Sequence, residues 1–237
     1  MTPEMTPEMT GVPAAGDLAG RLDAVRRRIA DAARDADRAT SELTTIVVTK
    51  FHPASLVREL AALGVRDVGE NRHQEAQAKA RVCADLDLTW HFVGQLQSKK
   101  AKQARQYAHV IHSVDRPALV SALESSVASV DCFIQYNLTA DPARGGVDSA
   151  GLERLVEQIL GTQGLHLIGV MAVAPLGEEP RAAFARLRAV SDRVRSLAPD
   201  AGSISAGMSE DFEAAIAEGA THLRIGTAIT GKRPTRG

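Results

Sequence analysis

The feature that most constrains this chain is a regular alternation of short β-branched or apolar runs with helical patterns. The first run, Thr-Thr-Ile-Val-Val-Thr at 44–49, has the composition of a buried strand and no helical period. Seven further runs predict strands at Asp67–Gly69, Thr89–Val93, Val110–Ser113, Val130–Asn137, Leu165–Val170, Ser203–Ser205 and Thr221–Ile225. Eight strands that alternate with helices predict an α/β protein whose parallel sheet closes into a single (β/α)8 TIM-type barrel.

An additional helix is predicted ahead of the first strand. Between Asp17 and Arg38, apolar residues recur at helical spacing and form one stripe. Few residues follow the last predicted strand, so its covering helix must come from elsewhere, and this N-terminal helix is the natural candidate. The alternative fold, an open doubly wound sheet, lacks a glycine-rich fingerprint after the first strand.

The length of 237 residues suits one barrel without a second domain. The tandem repeat MTPEMTPEMT has no apolar face, so residues 1–16 are expected to form a disordered leader. The barrel is expected to occupy residues 17–231, and residues 232–237 a flexible tail. The loosest internal segment is the predicted loop 141–146.

Charge and cysteine usage exclude several classes of function. A formal net charge of −1 gives no electrostatic reason to expect nucleic acid or an anionic membrane as partner. No apolar run has the length of a membrane span or the character of a signal peptide. Cys83 and Cys132 stand outside any CxxC pattern, which predicts buried, reduced thiols in a cytoplasmic protein and neither a disulfide nor a metal site.

Polar residues collect where the predicted strands end, which is where barrels of this class carry their chemistry. The residues concerned are Lys50, Glu70, Asn71, Gln95, Ser113, Asp115, Gln135, Asn137, the segment 205–209 and the segment 224–227. The amino-terminal strand ends show no comparable concentration. This asymmetry supports the barrel and predicts a site at its C-terminal mouth.

Lys50 is the most informative of these residues because it ends an apolar strand. A lysine is costly to bury there unless its amine is paired, hydrated or neutral. Desolvation favours the neutral amine, which is the form that condenses with a carbonyl group to an imine. The alternative is a lysine that extends from the strand end into water.

The connections after the last two strands suit a phosphate group. Gly207 permits close backbone approach, Ser209 brings a hydroxyl, and Gly226-Thr227 forms a second turn of small residues. Barrels often bind phosphate at these two loops. A Schiff-base lysine across the same mouth fits an aldehyde phosphate. Against this reading, Ser209 could simply cap a helix, and the acidic pair at 210 and 211 would repel a phosphate unless it faces outward.

Arg224 should point into the barrel mouth or just below it. An arginine keeps its proton, so beside a pyridine nitrogen it would leave that nitrogen unprotonated and the ring a weaker electron sink. The alternative is an ion pair with a neighbouring carboxylate. His91, within Trp90-His91-Phe92, is expected to be a hydrogen-bonded core residue, and the lysines at 99–102 a solvated helix face.

Seven motifs, in order, are similar to those of a known family and span about 43–231. The chain resembles the pyridoxal phosphate homeostasis proteins of the YggS/PROSC type. The matching stretches are Val47–Lys50, Val68–Asn71 with Gln74-Glu75, Trp90–Gly94 with Leu96–Ser98, His112–Asp115, Met171–Pro175, Ser205–Ala215 and Arg224–Gly231.

The resemblance implies a barrel like the N-terminal domain of alanine racemase, the fold-type III arrangement, with pyridoxal 5′-phosphate (PLP) held as a Schiff base on Lys50. It implies phosphate contacts from Ser209 and the Gly226-Thr227 backbone, with Arg224 beside the pyridine nitrogen. Completing the expected cofactor-binding set are Asn71, Ser205, Gly207 and Met208. The implied role is intracellular PLP (vitamin B6) and amino-acid homeostasis, with PLP-requiring apoenzymes as partners and no settled catalytic reaction. Separately from the resemblance, a monomer is expected.

Three positions depart from the family pattern. His52 stands where a second lysine is common, Gln95 where a histidine is common, and Lys99 where an asparagine is usual. None of these positions carries the Schiff base. They put in doubt a secondary cofactor site or a transfer route that would depend on them.

Three functions remain to be compared: a non-catalytic cofactor carrier, a PLP-dependent racemase or related enzyme, and a lysine aldolase acting on a sugar phosphate. Alanine racemases add a C-terminal β domain with a second acid/base group, and a sequence ending at Gly237 has no segment for it. Neither Tyr107 nor Tyr136 lies in a motif that would substitute, so a proton taken by Lys50 lacks a donor on the opposite face. The aldolase shares the imine and phosphate chemistry but not the seven motifs. We therefore expect the carrier.

Overall fold

The computed structural model describes residues 17–139 and 141–232. The predicted leader 1–16 and residues 233–237 of the predicted tail lie outside the described residues. Eight parallel strands form a closed barrel in sequence order, and β8 pairs with β1 through Val47 and Ile225. The strands are β1 Thr44–Val48, β2 Asp67–Glu70, β3 Thr89–Phe92, β4 Val110–Val114, β5 Val130–Gln135, β6 Leu165–Met171, β7 Ser203–Ser205 and β8 His222–Ile225. The predicted barrel and its eight strands are confirmed.

Helices follow the strands around the outside of the barrel. They are α1 Leu18–Asp35, α2 Ala54–Ala62, α3 His73–Val82, α4 Ala101–Ala104, α5 Pro117–Leu123, α6 Leu152–Leu160, α7 Pro180–Leu197, α8 Phe212–Ala217 and α9 Thr227–Thr230. Single 3-10 turns lie at Thr40–Glu42, Ser98–Lys100 and Pro142–Arg144. Among the described residues, no helix combines the length and apolar character needed to cross a bilayer.

The additional helix α1 completes the outer layer beside β8, which in the described residues is followed by the short helix α9. Asp17 caps it by accepting from the Gly20 N–H at 2.6 Å, and its buried stripe faces the barrel. The helix packs against α8 and α9, and Arg21 Nε donates to the Ile229 carbonyl at 2.7 Å. The predicted covering role of this helix is therefore confirmed.

The apolar core lies mainly between the sheet and the helices, while a small separate cluster fills part of the barrel interior. The interior cluster consists of Val110, Phe133 and Met171, with Ile168 packed against it. Buried polar side chains occupy neighbouring interior positions. Cys83 and Cys132 are buried free thiols, as predicted.

Candidate functional site

Lys50 lies two residues after the end of β1, at the carboxyl end of the barrel. Its side chain is exposed and makes no hydrogen bond or ion pair with the described residues. Its Nζ lies 6.0 Å from the centre of the Phe51 ring. The expected desolvation of the amine is not found, because the Lys50 side chain is exposed to solvent.

The turn that carries Lys50 is tightly held by its own backbone. The His52 N–H donates to the Thr49 carbonyl at 3.1 Å, which closes the turn. Phe51 lies in the left-handed region with φ of 69°, an uncommon conformation for a large side chain. Its N–H donates to Glu75 Oε2 at 3.1 Å, and the Arg72 guanidinium lies 5.0 Å from its ring centre. The strained turn is thus fixed from two directions.

A buried ion pair supports the residue before Lys50. Lys79 Nζ donates to Glu70 Oε1 at 2.5 Å and to the Thr49 carbonyl at 2.8 Å. The Thr49 hydroxyl donates to the same Glu70 oxygen at 2.6 Å. Burial raises the pKa of Glu70, and the Lys79 charge opposes this rise. Glu70 was expected at the mouth, but it faces α3 and anchors β1 instead.

The connection after β7 has a backbone that only glycine adopts without strain. Gly207 has φ of 88°, and a Cβ there would lie 2.8 Å from Phe212 Cα. The adjoining Met208 is 39% exposed, and its N–H donates to Asp211 Oδ1 at 2.6 Å. The Asp211 carboxylate is therefore held by its own loop. Glu210 is exposed, so the predicted outward direction of the acidic pair holds for this residue.

The connections after β7 and β8 meet through Ser209. Its Oγ accepts from the Ala228 N–H at 3.2 Å and from Thr227 Oγ1 at 3.4 Å. In the described chain, the N–H groups of Gly226 and Thr227 donate to no other residue. Two hydroxyls and two unsatisfied N–H donors therefore gather at one point, which is the donor set that an anion such as phosphate requires.

Arg224 lies beneath these loops and is 6% exposed. Its Nη1 donates to Ser205 Oγ at 2.7 Å and its Nη2 to the Ala172 carbonyl at 2.9 Å. Burial lowers the pKa of Arg224 to about 10, while Asp211 opposes the shift. No ion pair joins Arg224 to a carboxylate in the described part of the chain, so the alternative of a structural ion pair is not found.

A chain of buried polar side chains continues from Arg224 across the barrel interior. Ser205 Oγ lies 2.8 Å from His112 Nδ1, and His112 Nε2 lies 2.9 Å from His91 Nδ1. His91 Nε2 lies 3.0 Å from Asp67 Oδ1. His91 is a hydrogen-bonded core residue, as expected, but the chain to which it belongs was missed. Strand periodicity could have indicated only which residues of each strand share a face, because these five residues lie on five different strands.

Burial also sets the charge of the interior imidazoles. It holds the pKa of His112 well below the usual value, and it lowers the pKa of His222 to about 4. The His112 ring stacks on Phe133 at 4.5 Å, and Phe133 contacts His222 edge-on at 5.0 Å. Both imidazoles are therefore neutral at physiological pH.

Acid is expected to destabilise this fold. In the unfolded chain, His112 and His222 take up protons near pH 6.5, whereas in the folded chain they stay neutral. The unfolded state binds more protons between about pH 6.5 and 4, so the free energy of unfolding falls as the pH falls through this window. Urea denaturation should show a loss of roughly 5 kcal/mol between pH 7.5 and 4.5, about half from each histidine. His222→Gln should flatten this slope, while His166→Gln, at an exposed histidine, should leave it unchanged. If the free energy of unfolding has the same pH dependence in the wild type and in both variants, the acid sensitivity does not come from the buried histidines.

Three buried side-chain oxygens of the described residues have no hydrogen-bond partner. They are Asn71 Oδ1, Ser113 Oγ and the second carboxylate oxygen of Glu70, Oε2. The Asn71 backbone is packed against Gly94, where a Cβ would approach the Asn71 carbonyl to 2.1 Å. Asn137, in contrast, is occupied within its own loop, since its Nδ2 donates to the Asp141 carbonyl at 2.9 Å. Besides Glu70, whose other oxygen is bound by Lys79 of α3, Asn71 and Ser113 are thus the predicted mouth residues with unused buried polar groups.

The comparison with known protein families decides the affiliation. The model of the family described as alanine racemase, N-terminal domain, matches residues 21–234. A pyridoxal phosphate homeostasis protein of Mycobacterium bovis is 40% identical over 243 residues, covering 93% of this chain and 94% of its own length. The protein of that name from Escherichia coli (strain K12) is 36% identical and covers 92% and 97%. The chain belongs to the pyridoxal phosphate homeostasis protein family.

Solved structures agree with this affiliation. PipY of Synechococcus elongatus PCC7942, determined with PLP bound, has a TM-score of 0.80 and 37% identity, and covers 91% of this chain and 100% of PipY. An alanine racemase of Corynebacterium glutamicum has a TM-score of 0.65 at 17% identity, which shows a shared barrel fold alone. That match covers 88% of this chain and 60% of the racemase. The fold of the pyridoxal phosphate homeostasis family is therefore the barrel described above.

Proposed function

We propose that this protein binds PLP at the mouth of the barrel, with the Lys50 amine joined to the cofactor aldehyde as a Schiff base. The observation that carries the proposal is the convergence of three groups on one end of the barrel: the unpaired Lys50 amine, the donors around Ser209, and Arg224. Strand pairing supports it, because β1 and β8 are neighbours and Gly226 lies against Val48, two residues before Lys50. That the relative PipY holds PLP supports the same reading.

The donor chemistry around Ser209 fits the phosphate of this cofactor. The free N–H groups of Gly226 and Thr227 and the hydroxyls of Ser209 and Thr227 would hold the phosphate oxygens. Gly207 keeps the neighbouring loop close to β8, since its carbonyl accepts the Arg224 N–H at 2.9 Å. Met208, exposed beside it, would cover an edge of the ring. Asn71 Oδ1, buried and unpaired, would accept a hydrogen bond from the bound cofactor.

Arg224 would face the pyridine nitrogen, with Ser205 behind it. The pKa of Arg224, although lowered by burial to about 10, keeps the guanidinium charged at neutral pH. A guanidinium donates and does not accept, so the pyridine nitrogen would stay unprotonated. PLP, when bound, supplies an aldehyde for amines and a ring that withdraws electrons; an unprotonated ring withdraws them less strongly.

We propose a carrier or regulator of PLP and amino-acid pools, without catalysis of its own, acting as a cytoplasmic monomer that supplies PLP-requiring apoenzymes. A racemase needs a second acid/base group opposite Lys50. The hydroxyl of Tyr107 lies 3.2 Å from His73 Nδ1 on the outer side, near α3, and Tyr136 lies near Arg186 of α7. Neither tyrosine offers that group, which favours the carrier over the racemase.

Cofactor titration tests the proposal. Purified full-length protein titrated with PLP should develop a visible absorption band, whereas pyridoxal, which lacks the phosphate, should bind at least about 100-fold more weakly, because two or more charge-assisted hydrogen bonds are lost. A protein that stays colourless with PLP would overturn the proposal, and equal binding of both aldehydes would overturn the phosphate site.

A second measurement separates the carrier from the racemase. The PLP-loaded protein incubated with D- and L-amino acids should give at most marginal racemisation, and it should transfer PLP to an apoenzyme. Robust racemisation that Lys50→Ala abolishes would establish the enzyme instead.

A further inference from the structure

The interior of the barrel holds a row of buried polar groups, here called the relay, of which the proposed PLP site uses only Ser205 and Arg224. It runs from Asp67 at the start of β2, through His91 and His112, to Ser205 and Arg224 at the opposite end. His91 and His112 are 3% and 0% exposed, and the Asp67 side chain is 28% exposed. This row of hydrogen-bonded side chains therefore connects solvent at the amino-terminal end of the barrel to the proposed cofactor face.

The hydrogen bonds of the relay all run in one direction when the imidazoles of His91 and His112 are neutral. An ionised Asp67 can only accept, so His91 carries its proton on Nε2. His91 Nδ1 then accepts from His112 Nε2, which leaves His112 Nδ1 as the acceptor of the Ser205 hydroxyl proton. Ser205 Oγ in turn accepts from Arg224. Every donor thus points from the guanidinium toward the carboxylate.

We infer that Asp67, His91 and His112 are positioning residues, which act through Ser205 to orient Arg224 and to carry the influence of the Asp67 charge to the cofactor face. The inference rests on the proposed function for the place of Arg224. Aligned hydrogen bonds polarise one another in a low-dielectric interior, so a negative charge at one end strengthens the donors along the row. A second proton on His91 would reverse the bonds between His91 and Ser205.

Titratable groups face His91 from β2, from β4 and the residue before it, and from β8. Asp67 of β2 and His112 of β4 contact it directly, while His109 before β4 and His222 of β8 lie further away. Burial and the neighbouring positive groups hold the pKa of His112 well below its usual value. The direct contacts of His91 with Asp67 and His112 are therefore the observations that carry the single-direction arrangement.

Ring tautomers test the direction in the full chain without added PLP. Nitrogen-15 NMR of the histidine side chains at pH 7.5 should find His91 and His112 both neutral and both protonated on Nε2. His112 protonated on Nδ1, or His91 protonated on both nitrogens, would overturn the inference. This measurement does not depend on cofactor binding, so it tests the direction of the hydrogen bonds in the relay even if the protein does not bind PLP.

Asp67→Asn tests the influence on the cofactor. In the PLP-loaded variant, the pH midpoint of the visible spectral change should move down by about half a unit or more, because a negative charge that favours protonation is removed. The matched control is Asp131→Asn, which removes a carboxylate paired with the exposed His166 at 2.9 Å outside the relay. The pH dependence of the visible spectrum of this control should superimpose on that of the wild-type protein.

A folded Asp67→Asn protein with the wild-type midpoint would overturn the influence on the cofactor. If this variant does not fold, His91→Leu is the second test, because it breaks the relay while filling the space of the ring. Its midpoint should also move down, and an unchanged midpoint would again overturn the inference. Failure of the wild-type protein to take up PLP would instead count against the proposed function.

Discussion

Lys50→Ala is expected to abolish covalent retention of PLP without unfolding the protein. The Lys50 side chain is exposed and makes no hydrogen bond with the described residues, so its removal should change the free energy of unfolding by less than about 0.5 kcal/mol. The amine is nevertheless the group that the proposed Schiff base requires. Borohydride-treated wild-type protein should keep the cofactor through denaturation and dialysis, and the variant should lose all of it.

The matched control is Lys102→Ala, which removes another exposed lysine, on α4. It should retain as much reduced cofactor as the wild type. A Lys50→Ala protein that still holds cofactor covalently after reduction would show that another amine carries it. A Lys50→Ala protein that unfolds would contradict the structural account of the turn.

Lys79→Met is expected to produce a large loss of stability, about 3–5 kcal/mol in urea denaturation at pH 7.5. The Lys79 and Glu70 side chains are 8% and 1% exposed, and their nitrogen and oxygen lie 2.5 Å apart. Removal of the lysine would leave a buried carboxylate without a cation and the Thr49 carbonyl without its donor. Because burial already raises the pKa of Glu70, the remaining carboxyl should take up a proton more readily, and the loss should be smaller at pH 5.

Two further proteins test this explanation. Arg58→Met breaks an ion pair with Asp85 whose side chains are 43% and 61% exposed, and it should cost less than about 1 kcal/mol. The double variant Lys79→Met, Glu70→Leu should be more stable than Lys79→Met alone, since no buried charge is left unpaired. If Lys79→Met costs no more than Arg58→Met, the ion pair does not support β1 as described.

The barrel could be predicted because its signals are local. The run 44–48 is β-branched, and the apolar stripe of α1 has an unbroken helical period, so each element is visible within its own segment. The gathering of Lys50, Ser209 and Thr227 at one end also follows from topology, since parallel strands bring their carboxyl ends together. The assignment of these residues to PLP rests on the family resemblance and remains a prediction.

The contacts between distant segments could not be predicted in the same way. Glu70 ends a strand and was therefore expected at the mouth of the barrel. Its carboxylate instead pairs with Lys79 of α3, on the outside of the sheet. The relay from Asp67 to Arg224 depends on which strands are neighbours and on the stagger of their pairing, and neither is encoded in any one strand. The left-handed backbone at Phe51, directly after Lys50, could not be predicted either, because the residue type gives no signal for it.

Peptide mapping of the reduced cofactor tests the central claim most directly. Wild-type protein loaded with PLP is treated with borohydride, digested and analysed by mass spectrometry. The account predicts pyridoxyl phosphate on the peptide that contains Lys50 and on no other lysine. The absence of the modification, or its presence instead on Lys79, Lys99, Lys100, Lys102 or Lys232, would contradict it.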